Sequence, residues 1–355
     1  MMDDRSLGFF KRLLDAPGPS GFESRPAQLW REEATAFATV ESDVAGNCYA
    51  TVNPGGKPRV MLTGHLDEIG VMVVHVDDEG FLYFAPIGGW DPQVLVGQRV
   101  RLDGRDGPVP GVVGKKAIHL IKPDERDKAS KITDLWIDIG AKNKAEALER
   151  VRIGDAGVLS GAPVELPNQR WVSRSIDNRV GSFVVLEALR RLAAKPPAAC
   201  AVAVGTTQEE IAYTGGGART SAFGLEPDAA VVVDVTHATD SPGVEKKEVG
   251  DFKLGGGPVL SRGSAVSPVV FAQLVAAAEA EQIPYGVEAA PRGTSTDADA
   301  IYTSRRGIAT AVVSVPCRYM HSPNEMVSLD DLDRAAALLA AWVRRLQPST
   351  SFLPY

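Results

Sequence analysis

Four short apolar runs in the sequence each lead into side chains that commonly bind metal ions. The runs and the residues that follow them are 60–64 with His65 and Asp67, 199–204 with Glu209 and Glu210, 229–233 with Asp234, and 310–315 with His321. Such runs are typical of strands buried on both faces. Sites in open α/β sheets form beyond the carboxyl ends of the strands, so we expect one site formed by all four runs.

The residue types at this predicted site favour a pair of metal ions. His65, Asp177, Glu210, Asp234 and His321 supply two imidazoles and three carboxylates. A catalytic zinc ion usually takes three protein ligands and keeps one position open, so five ligands exceed the need of one ion. Two ions that share one bridging carboxylate would use all five predicted ligands. Ions ~3.5–4 Å apart polarise a carbonyl group and generate hydroxide, which predicts hydrolysis of an acyl compound such as a peptide bond.

Glu209 and Asp67 have separate predicted roles. Adjacent strand residues point to opposite sides, so Glu209 and Glu210 are not expected to do the same job. If Glu210 binds a metal ion, Glu209 suits the general base that deprotonates water and later protonates the leaving amine. Asp67 follows His65 by two residues, and its carboxylate is expected to accept the imidazole N–H that faces away from the metal.

Two further acidic residues precede predicted helices. Asp177 lies before a helical stripe that includes Val180, Phe183 and Val184, so it fits either a metal ligand or a helix cap. Thr296 and Asp297 precede another helical pattern, and either residue is a possible cap.

The elements that carry these residues predict an α/β fold. We expect helices near residues 7–14, 24–37, 268–281, 297–304 and 329–346, a strand pair over 39–52, and a cap for the last helix from Ser328 and Asp331. From about residue 71 to 165 the pattern changes to short alternating strands with one helix at 144–151, which predicts a small inserted β-barrel. We therefore predict a catalytic domain over 1–70 and 166–355, and a β domain over 71–165.

Composition excludes several classes of protein. The 355 residues are 44% hydrophobic and 23% charged, as in ordinary soluble globular proteins. A net charge of −7 gives no basic surface for nucleic acid or acidic lipid. No run approaches the ~20 apolar residues of a membrane span, and no signal-peptide core follows the start, so a cytoplasmic location is expected. Cys48, Cys200 and Cys317 are widely spaced and are expected to be reduced.

Five motifs, in order along the chain, resemble one known family. They are Gly64-His65-Leu66-Asp67-Glu68-Ile69-Gly70, Asp177-Asn178-Arg179-Val180-Gly181, Gln208-Glu209-Glu210-Ile211, Asp234-Val235-Thr236, and Arg318-Tyr319-Met320-His321-Ser322-Pro323-Asn324-Glu325. They resemble the dimetal aminopeptidases that include glutamyl, deblocking and tetrahedral-particle (TET) enzymes, a group also labelled endoglucanase-like. The resemblance implies a three-layer αβα zinc-peptidase domain interrupted by the β domain.

The resemblance also implies roles for particular residues. His65 and Asp234 would bind one ion, Glu210 and His321 the other, and Asp177 would bridge the two, with zinc or cobalt as the metal. Asp67 would orient His65, and Glu209 would be the base. The substrates would be short peptides with a free amino end. The β domain would mediate dimerisation, and dimers would build a dodecamer.

Three positions remain open within the resemblance. Residues 212–218, Ala-Tyr-Thr-Gly-Gly-Gly-Ala, replace a family stretch that contains arginine, and their glycines either bring backbone N–H groups to a substrate oxygen or permit a tight helix start. His119 matches a family histidine that would pack near a neighbouring subunit's site. Asp297, in a stretch similar to one beside the family's active site, either contacts substrate or is structural. His75 and His237 are expected to have ordinary packed or surface roles.

Three other functions compete with an aminopeptidase. A glycosidase needs two carboxyl groups across a sugar but no paired histidines. A dimetal carboxypeptidase or deacylase would need a cation for the substrate's carboxylate, for which Arg179, Arg219 and Arg318 are available. A catalytically inactive scaffold would have no reason to keep every predicted ligand and the predicted base.

Overall fold

The computed structural model describes residues 2–212 and 215–355. The α-helices are α1 (Asp4–Asp15), α2 (Ser24–Ala34), α3 (Pro92–Leu95), α4 (Lys144–Arg150), α5 (Ile176–Ala194), α6 (Gly216–Leu225), α7 (Lys246–Val249), α8 (Pro268–Ala280), α9 (Ala298–Ile301) and α10 (Leu329–Arg345). Short 3-10 turns lie at Ile118–Leu120, Pro123–Glu125 and Ile132–Asp134. Within the described ranges, no helix combines the length and the apolar character needed to cross a lipid bilayer.

The strands form a large sheet, a closed barrel and a small three-stranded sheet. In chain order they are β1 (Thr39–Ser42), β2 (Cys48–Val52), β3 (Arg59–His65), β4 (Gly70–Val76), β5 (Leu82–Ile87), β6 (Arg99–Gly104), β7 (Gly107–Lys115), β8 (Leu135–Asp138), β9 (Ala156–Leu159), β10 (Val164–Leu166), β11 (Arg170–Ser173), β12 (Cys200–Thr206), β13 (Ala229–His237), β14 (Val259–Gly263), β15 (Gly286–Ala290), β16 (Ala309–Cys317) and β17 (Glu325–Ser328).

The large sheet has the strand order β1-β2-β12-β3-β13-β16-β14-β15. The four predicted apolar runs are its central strands β12, β3, β13 and β16, and neighbours among them are parallel. Nearly every residue in these four strands is buried. Their carboxyl ends therefore lie along one edge of the sheet, as predicted.

Helices cover both faces of this sheet and complete three layers. Helices α1, α5, α8 and α10 pack on one face, and α6 and α9 pack on the other. Because alternate strand residues face opposite sides, Leu62 of β3 joins the first core and Met61 joins the second. The predicted three-layer α/β fold is confirmed.

The predicted β-barrel is also confirmed. Its strands close in the order β4-β5-β8-β7-β6-β9 around a separate apolar core that includes Val73, Leu102 and Ile137. The expectation of one helix in this region was wrong, because the short helix α3 accompanies α4. The division of the chain into domains at residues 70 and 165 stays a prediction.

The barrel lies beside the carboxyl edge of the large sheet. The chain leaves the sheet at His65, the end of β3, and enters the barrel at Gly70, the start of β4. The turn after β5 comes back to the same edge, where a Cβ atom on Gly89 would lie 3.3 Å from Nδ1 of His321. The barrel therefore forms one wall of the space above the sheet.

The expected cap of helix α10 was wrong. Ser328 is at the N-cap position, but its side chain makes no capping hydrogen bond. The Asp331 carboxylate instead accepts hydrogen bonds from the backbone N–H groups of Gly255 and Gly257, each at 2.7 Å. Asp331 thus fixes a distant loop rather than its own helix, a pairing that local sequence spacing does not reveal.

Gly64 permits the close packing of β3 on α5. A Cβ atom at this position would overlap the backbone of Gly181 and Ser182. We expect Gly64→Ala to destabilise the protein by about 1–3 kcal/mol, the usual effect of forcing extra volume into a packed core. Thermal unfolding of the metal-free protein measures this effect without a contribution from metal binding.

Gly55→Ala is the matched control, because a Cβ atom on Gly55 would meet no atom within 4 Å. The control should unfold at the wild-type temperature. Equal unfolding temperatures for the two variants would contradict the packing argument.

Candidate metal centre

The carboxyl edge of the large sheet brings the predicted ligands together. His65 is the last residue of β3, Asp234 lies in β13, and Glu210 and His321 lie in the turns that follow β12 and β16. Asp177 lies in the first turn of α5. The nitrogen or oxygen ligand atoms of His65, Asp177 and Glu210 all lie within 4.8 Å of one another, and these residues are the one such group found in the described ranges.

His65 is held by carboxylates at both of its ring nitrogens. Its Nε2 atom lies 3.3 Å from Oδ1 of Asp177 and 3.7 Å from Oε2 of Glu209. Its Nδ1 atom lies 3.3 Å from Oδ1 of Asp67 and 3.2 Å from the Asp67 carbonyl oxygen. Because both of those oxygens are acceptors, Nδ1 carries a proton that it donates to them, and Nε2 is the nitrogen that faces Asp177.

His321 completes the other side of the cluster. Its Nε2 atom lies 3.4 Å from Oδ2 of Asp177 and 3.4 Å from Oε2 of Glu210. Asp177 therefore contacts one histidine through each of its carboxylate oxygens. This is the arrangement required of a carboxylate that bridges two ions.

Asp234 adds a third buried carboxylate to the cluster. It is 5% exposed, and its Oδ1 atom accepts a hydrogen bond from the N–H of Val235. Burial raises its pKa well above the usual value, and the charge of Asp177 raises it further. Asp234 is therefore close enough to Asp177 for the two charges to interact.

The premise that Glu209 and Glu210 are adjacent residues of a strand was wrong. Strand β12 ends at Thr206, so the two glutamates lie in the turn beyond it. Their backbone N–H groups donate to the two oxygens of the Asp67 carboxylate, each at 3.1 Å. The side chains still diverge, since Glu209 approaches His65 and Glu210 approaches His321. Asp67 therefore contacts His65 and also orients this turn.

Asp177 is not a helix cap. The backbone at Asp177 and Asn178 is non-helical, and the Asn178 side chain makes the capping contact by accepting from the N–H of Gly181 at 2.8 Å. The Asp177 carboxylate is free of that role and contacts the two histidines.

Asp297 is not a cap either. Thr296 accepts a hydrogen bond from the N–H of Ala298 at 3.1 Å, whereas the Asp297 side chain caps nothing. Asp297 is 4% exposed and accepts from the Thr206 hydroxyl at 2.5 Å. Burial raises the pKa of Asp297 to about 6. Its carboxylate borders the cleft described below.

The glycine-rich stretch forms a tight helix start. Tyr213 and Thr214 lie outside the described residues. Gly215 has φ +89° and precedes α6, and the N–H of Gly217 donates to the Thr207 carbonyl oxygen at 2.8 Å. A Cβ atom on Gly217 would overlap Asn47, and one on Gly216 would lie 2.6 Å from the Gln208 carbonyl oxygen. Of the two alternatives for these glycines, the contacts favour close packing.

The cluster holds more negative than positive charge. The acidic side chains are those of Asp177, Glu209, Glu210, Asp234 and Asp297. Among the described residues, their ion-pair partners within 4.0 Å are His65 and His321, and neither Lys nor Arg is one of them. Such crowding is unfavourable unless a cation is added.

The pKa shifts within the cluster report this excess of negative charge. Burial raises the pKa of Glu209 to about 10. Hydrogen bonds to Asp177 and Glu210 raise the pKa of His321 to about 11. Burial lowers the pKa of His65, but the charge of Asp67 and the bond to Asp177 outweigh burial, so the net pKa lies well above the usual value.

Glu210 provides a direct test of whether these residues fit a metal ion. Its Oε1 atom is buried and has no hydrogen-bond partner among the described residues. A buried carboxylate oxygen without a partner is strongly unfavourable, and coordination to a cation would satisfy it. Imidazole and carboxylate donors suit divalent zinc and cobalt. The donor set therefore fits a metal ion.

A cleft of about 1640 Å³ opens next to the cluster. The sheet edge contributes Glu209, Glu210 and His321 to its lining, and the barrel contributes Gly88 and Gly89. The opposite wall comes from α6 and α9 with their flanking turns and includes Arg219, Phe223 and Asp297. The cluster is therefore accessible to a molecule of peptide size.

The other histidines lie away from this cluster. His75 in β4 packs near the ring of Tyr83, with ring centroids 6.0 Å apart. His237 is exposed at the end of β13, and His119 is exposed in the 3-10 turn Ile118–Leu120.

Two of the three arginines considered for a carboxylate substrate are already paired, Arg179 with Glu68 at 3.3 Å and Arg318 with Asp240 at 2.7 Å.

Three contributors to the site were not anticipated from the sequence. Ser20 donates to Oδ2 of Asp67 at 2.6 Å. Glu23 accepts from the N–H of Gln208 at 3.0 Å. Glu325 accepts from the N–H groups of Asp177 and His321. Glu325 belongs to one of the five motifs given above, but nothing in the sequence spacing indicates the partners of Glu325, Ser20 or Glu23.

Comparison with known proteins identifies the family. The sequence profile of M42 glutamyl aminopeptidases matches residues 46–338, well over half of the chain. The chain belongs to this family. The predicted resemblance is confirmed, and this M42 protein is a hydrolase of the aminopeptidase type.

Relatives and solved structures agree over almost the whole length. The lysyl aminopeptidase of Pyrococcus furiosus is 34% identical over 346 residues, which cover 95% of this chain and 96% of that protein. A TET aminopeptidase from the marine sediment archaeon Thaumarchaeota archaeon SCGC AB-539-E09 matches with a TM-score of 0.92, 33% identity and 97% coverage of each chain. The Pyrococcus horikoshii TET1 peptidase, which can assemble into a tetrahedron or a large octahedral shell, matches with a TM-score of 0.85 and 30% identity, over 96% of this chain and 100% of that one.

Proposed function

We propose that this M42 protein removes the N-terminal residue of short peptides by means of a dinuclear metal centre and a glutamate base. The observation that carries the proposal is the convergence, beside a peptide-sized cleft, of two histidines and several buried carboxylates, none of which has a Lys or Arg ion-pair partner within 4.0 Å among the described residues. Buried carboxylates in this number must be neutralised by protons or by cations.

The contacts support a division of the ligands between two ions. His65 and Asp234 would hold one ion, Glu210 and His321 would hold the other, and Asp177 would be shared between them. In support, Asp177 contacts a different histidine with each oxygen, at 3.3 and 3.4 Å. When bound, divalent zinc or cobalt ions would polarise the scissile carbonyl group and lower the pKa of water. The Asp67 carboxylate contacts Nδ1 of His65 and thereby fixes the tautomer of the imidazole ring.

Glu209 is the proposed general base. Its side chain lines the cleft, and its Oε2 atom lies 3.7 Å from the nearer nitrogen of His65. Oε2 would take a proton from the attacking water and return it to the nitrogen of the leaving amine. Burial raises the Glu209 pKa to about 10, whereas nearby cations favour the ionised form that a base requires.

Asp297 supports the preference for a free amino end. Its buried carboxylate borders the cleft and makes no capping contact, so it is available to an ammonium group. Of the arginines that a carboxypeptidase or deacylase would need, Arg179 and Arg318 are paired with carboxylates, which leaves Arg219 in the cleft wall as the candidate cation for those alternatives. The histidine ligands disfavour a glycosidase.

We also propose that chains self-associate through the β domain and that dimers build a dodecamer. Ile118 and Leu120, on either side of His119 in a barrel loop, are 47% and 69% exposed, which suits a contact between chains. On the same hypothesis, His119 packs near a neighbouring subunit's site.

Light scattering should give twelve times the chain mass, and a single-chain mass would contradict the proposal. A His119→Ala variant that keeps the wild-type mass of the assembly and wild-type kinetics would exclude this role for His119.

Removal of metal tests the proposed activity. Dialysis against EDTA should abolish cleavage of aminoacyl anilides with a free amino group, and addition of zinc or cobalt should restore it. The same anilides with an acetylated amino group should remain uncleaved throughout. Activity that persists after EDTA treatment would contradict the metal mechanism, and cleavage of the acetylated compounds would favour a deacylase.

Replacement of Glu209 separates proton transfer from metal binding. Glu209→Gln should lower kcat by about 10²–10⁴-fold, the usual contribution of a positioned general base, while metal content per chain stays at the wild-type level. Asp177→Asn is the comparison variant and should lower metal content as well as kcat. Elemental analysis beside steady-state kinetics makes the distinction. A Glu209→Gln variant that keeps wild-type kcat would exclude Glu209 as the base.

A further inference from the structure

A single buried carboxylate connects the backbones of two proposed ligands. Glu325, the first residue of β17, is 2% exposed. Its Oε2 atom accepts a hydrogen bond from the N–H of Asp177 at 2.9 Å, and its Oε1 atom accepts from the N–H of His321 at 2.8 Å. The two segments that it joins are far apart in the sequence.

Both donors lie where regular secondary structure does not pair them. The N–H of Asp177 belongs to a residue with φ −77° and ψ 106°, outside the helical geometry of α5. His321 has φ +58°, in the left-handed region, within a turn after β16. A buried N–H group without an acceptor is costly, by about 1–3 kcal/mol. Glu325 satisfies both groups with one side chain.

Strand pairing fixes the position from which Glu325 reaches these groups. Glu325 is in register with Ser173 of β11, the strand that leads into Asp177. The next residue, Met326, exchanges two backbone hydrogen bonds with Arg318, which precedes the His321 turn. The Cα atom of Glu325 is thus held between both segments before its side chain makes any contact.

The chemistry of the contact requires a carboxylate. A glutamate side chain offers two oxygens that can each accept a hydrogen bond, whereas glutamine offers one oxygen and one NH₂ group that cannot accept. In a glutamine variant, one of the two N–H groups would face another donor. The structure therefore explains why Glu, rather than its neutral analogue, is present in a site already crowded with acidic groups.

We infer that Glu325 is a positioning residue that sets the separation of Asp177 and His321 for metal binding. It acts through hydrogen bonds to the backbone N–H groups of Asp177 and His321 and is not itself one of the residues that line the cleft. The inference rests on the proposed metal centre. Loss of Glu325 should let the Asp177 and His321 segments move apart, which weakens metal affinity without removing any ligand.

Asp331 provides a matched control within the same chain. It is fully buried, and its two oxygens accept from two backbone N–H groups, those of Gly255 and Gly257, each at 2.7 Å. None of its described hydrogen-bond partners is a proposed ligand. A variant at Asp331 therefore removes the same kind of contact from residues that are not proposed metal ligands.

The experiment compares Glu325→Gln and Asp331→Asn with the wild-type chain. Zinc and cobalt affinities are measured by competition with a chromogenic chelator, together with the visible spectrum of the cobalt-loaded protein. Unfolding of the metal-free protein shows the purely structural effect of each change. We expect both variants to unfold at lower temperature, but only Glu325→Gln to weaken metal binding, by about 10–100-fold, and to alter the cobalt spectrum.

Hydrogen exchange and a second variant keep the inference testable if Glu325→Gln folds poorly. Amide exchange at Asp177 and His321 should be slow in the wild-type chain and in Asp331→Asn. Glu325→Asp keeps the charge but is one methylene too short to reach both groups, so it should speed exchange at one of them and weaken metal binding less than Glu325→Gln.

The possible outcomes are distinct. Equal metal affinity in the wild-type chain and both Glu325 variants would overturn the inference and leave the proposed metal centre intact. An equal loss of affinity in Asp331→Asn would also overturn it, because the effect would then be general destabilisation. A wild-type chain that takes up neither zinc nor cobalt would overturn the proposed function and the inference together.

Discussion

Electrostatic repulsion among buried carboxylates is the constraint on which the rest of this structure depends. Asp177, Glu210 and Asp234 lie together at the carboxyl edge of one sheet and are almost removed from water. Such a group is tolerated only if its charges are neutralised by protons or by cations. The two histidines account for part of the compensation, and divalent ions are the natural source of the remainder. The sheet supplies four strand ends at one place, which makes this concentration of charge possible.

A second interaction holds the charged groups at their positions. Three buried carboxylates each accept hydrogen bonds from two backbone N–H groups near the site, namely Asp67, Glu325 and Glu23. Turns have few regular hydrogen bonds, so these side chains replace the order that a helix or strand would provide. Asp67 also adds negative charge, because, despite burial, the charge of His65 lowers the pKa of the Asp67 carboxyl group. Asp67 therefore serves both orientation and electrostatics.

The sheet and its ligands were predictable because their signals are local. A strand buried on both faces appears in the sequence as a continuous apolar run, and parallel strands end at one edge, so His65, Asp234 and the Glu209–Glu210 pair could be assigned to one site. The closed barrel followed from short alternating runs with turn residues. Domain limits, the identity of the metal and the assembly stay predictions.

The parts that sequence reasoning missed depend on contacts between distant segments. Asp331 accepts hydrogen bonds from a loop about Gly256 rather than from its own helix, and Glu325 accepts from Asp177, which is 148 residues away in the sequence. Asn178, not Asp177, caps the following turn, because the backbone there departs from a helix before the periodic pattern begins. Local propensities carry no information on such pairings, which exist only once the strands have been placed.

The spread of the cluster along the chain has a consequence for biosynthesis. Its first side chain, His65, is made early, whereas His321 and the carboxylate of Glu325 that holds it come near the end. Domains acquire their non-local contacts only after the contributing segments have left the ribosome. A nascent chain that stops before residue 321 therefore lacks one histidine of the proposed metal centre, together with the Glu325 carboxylate that holds the backbone of that histidine.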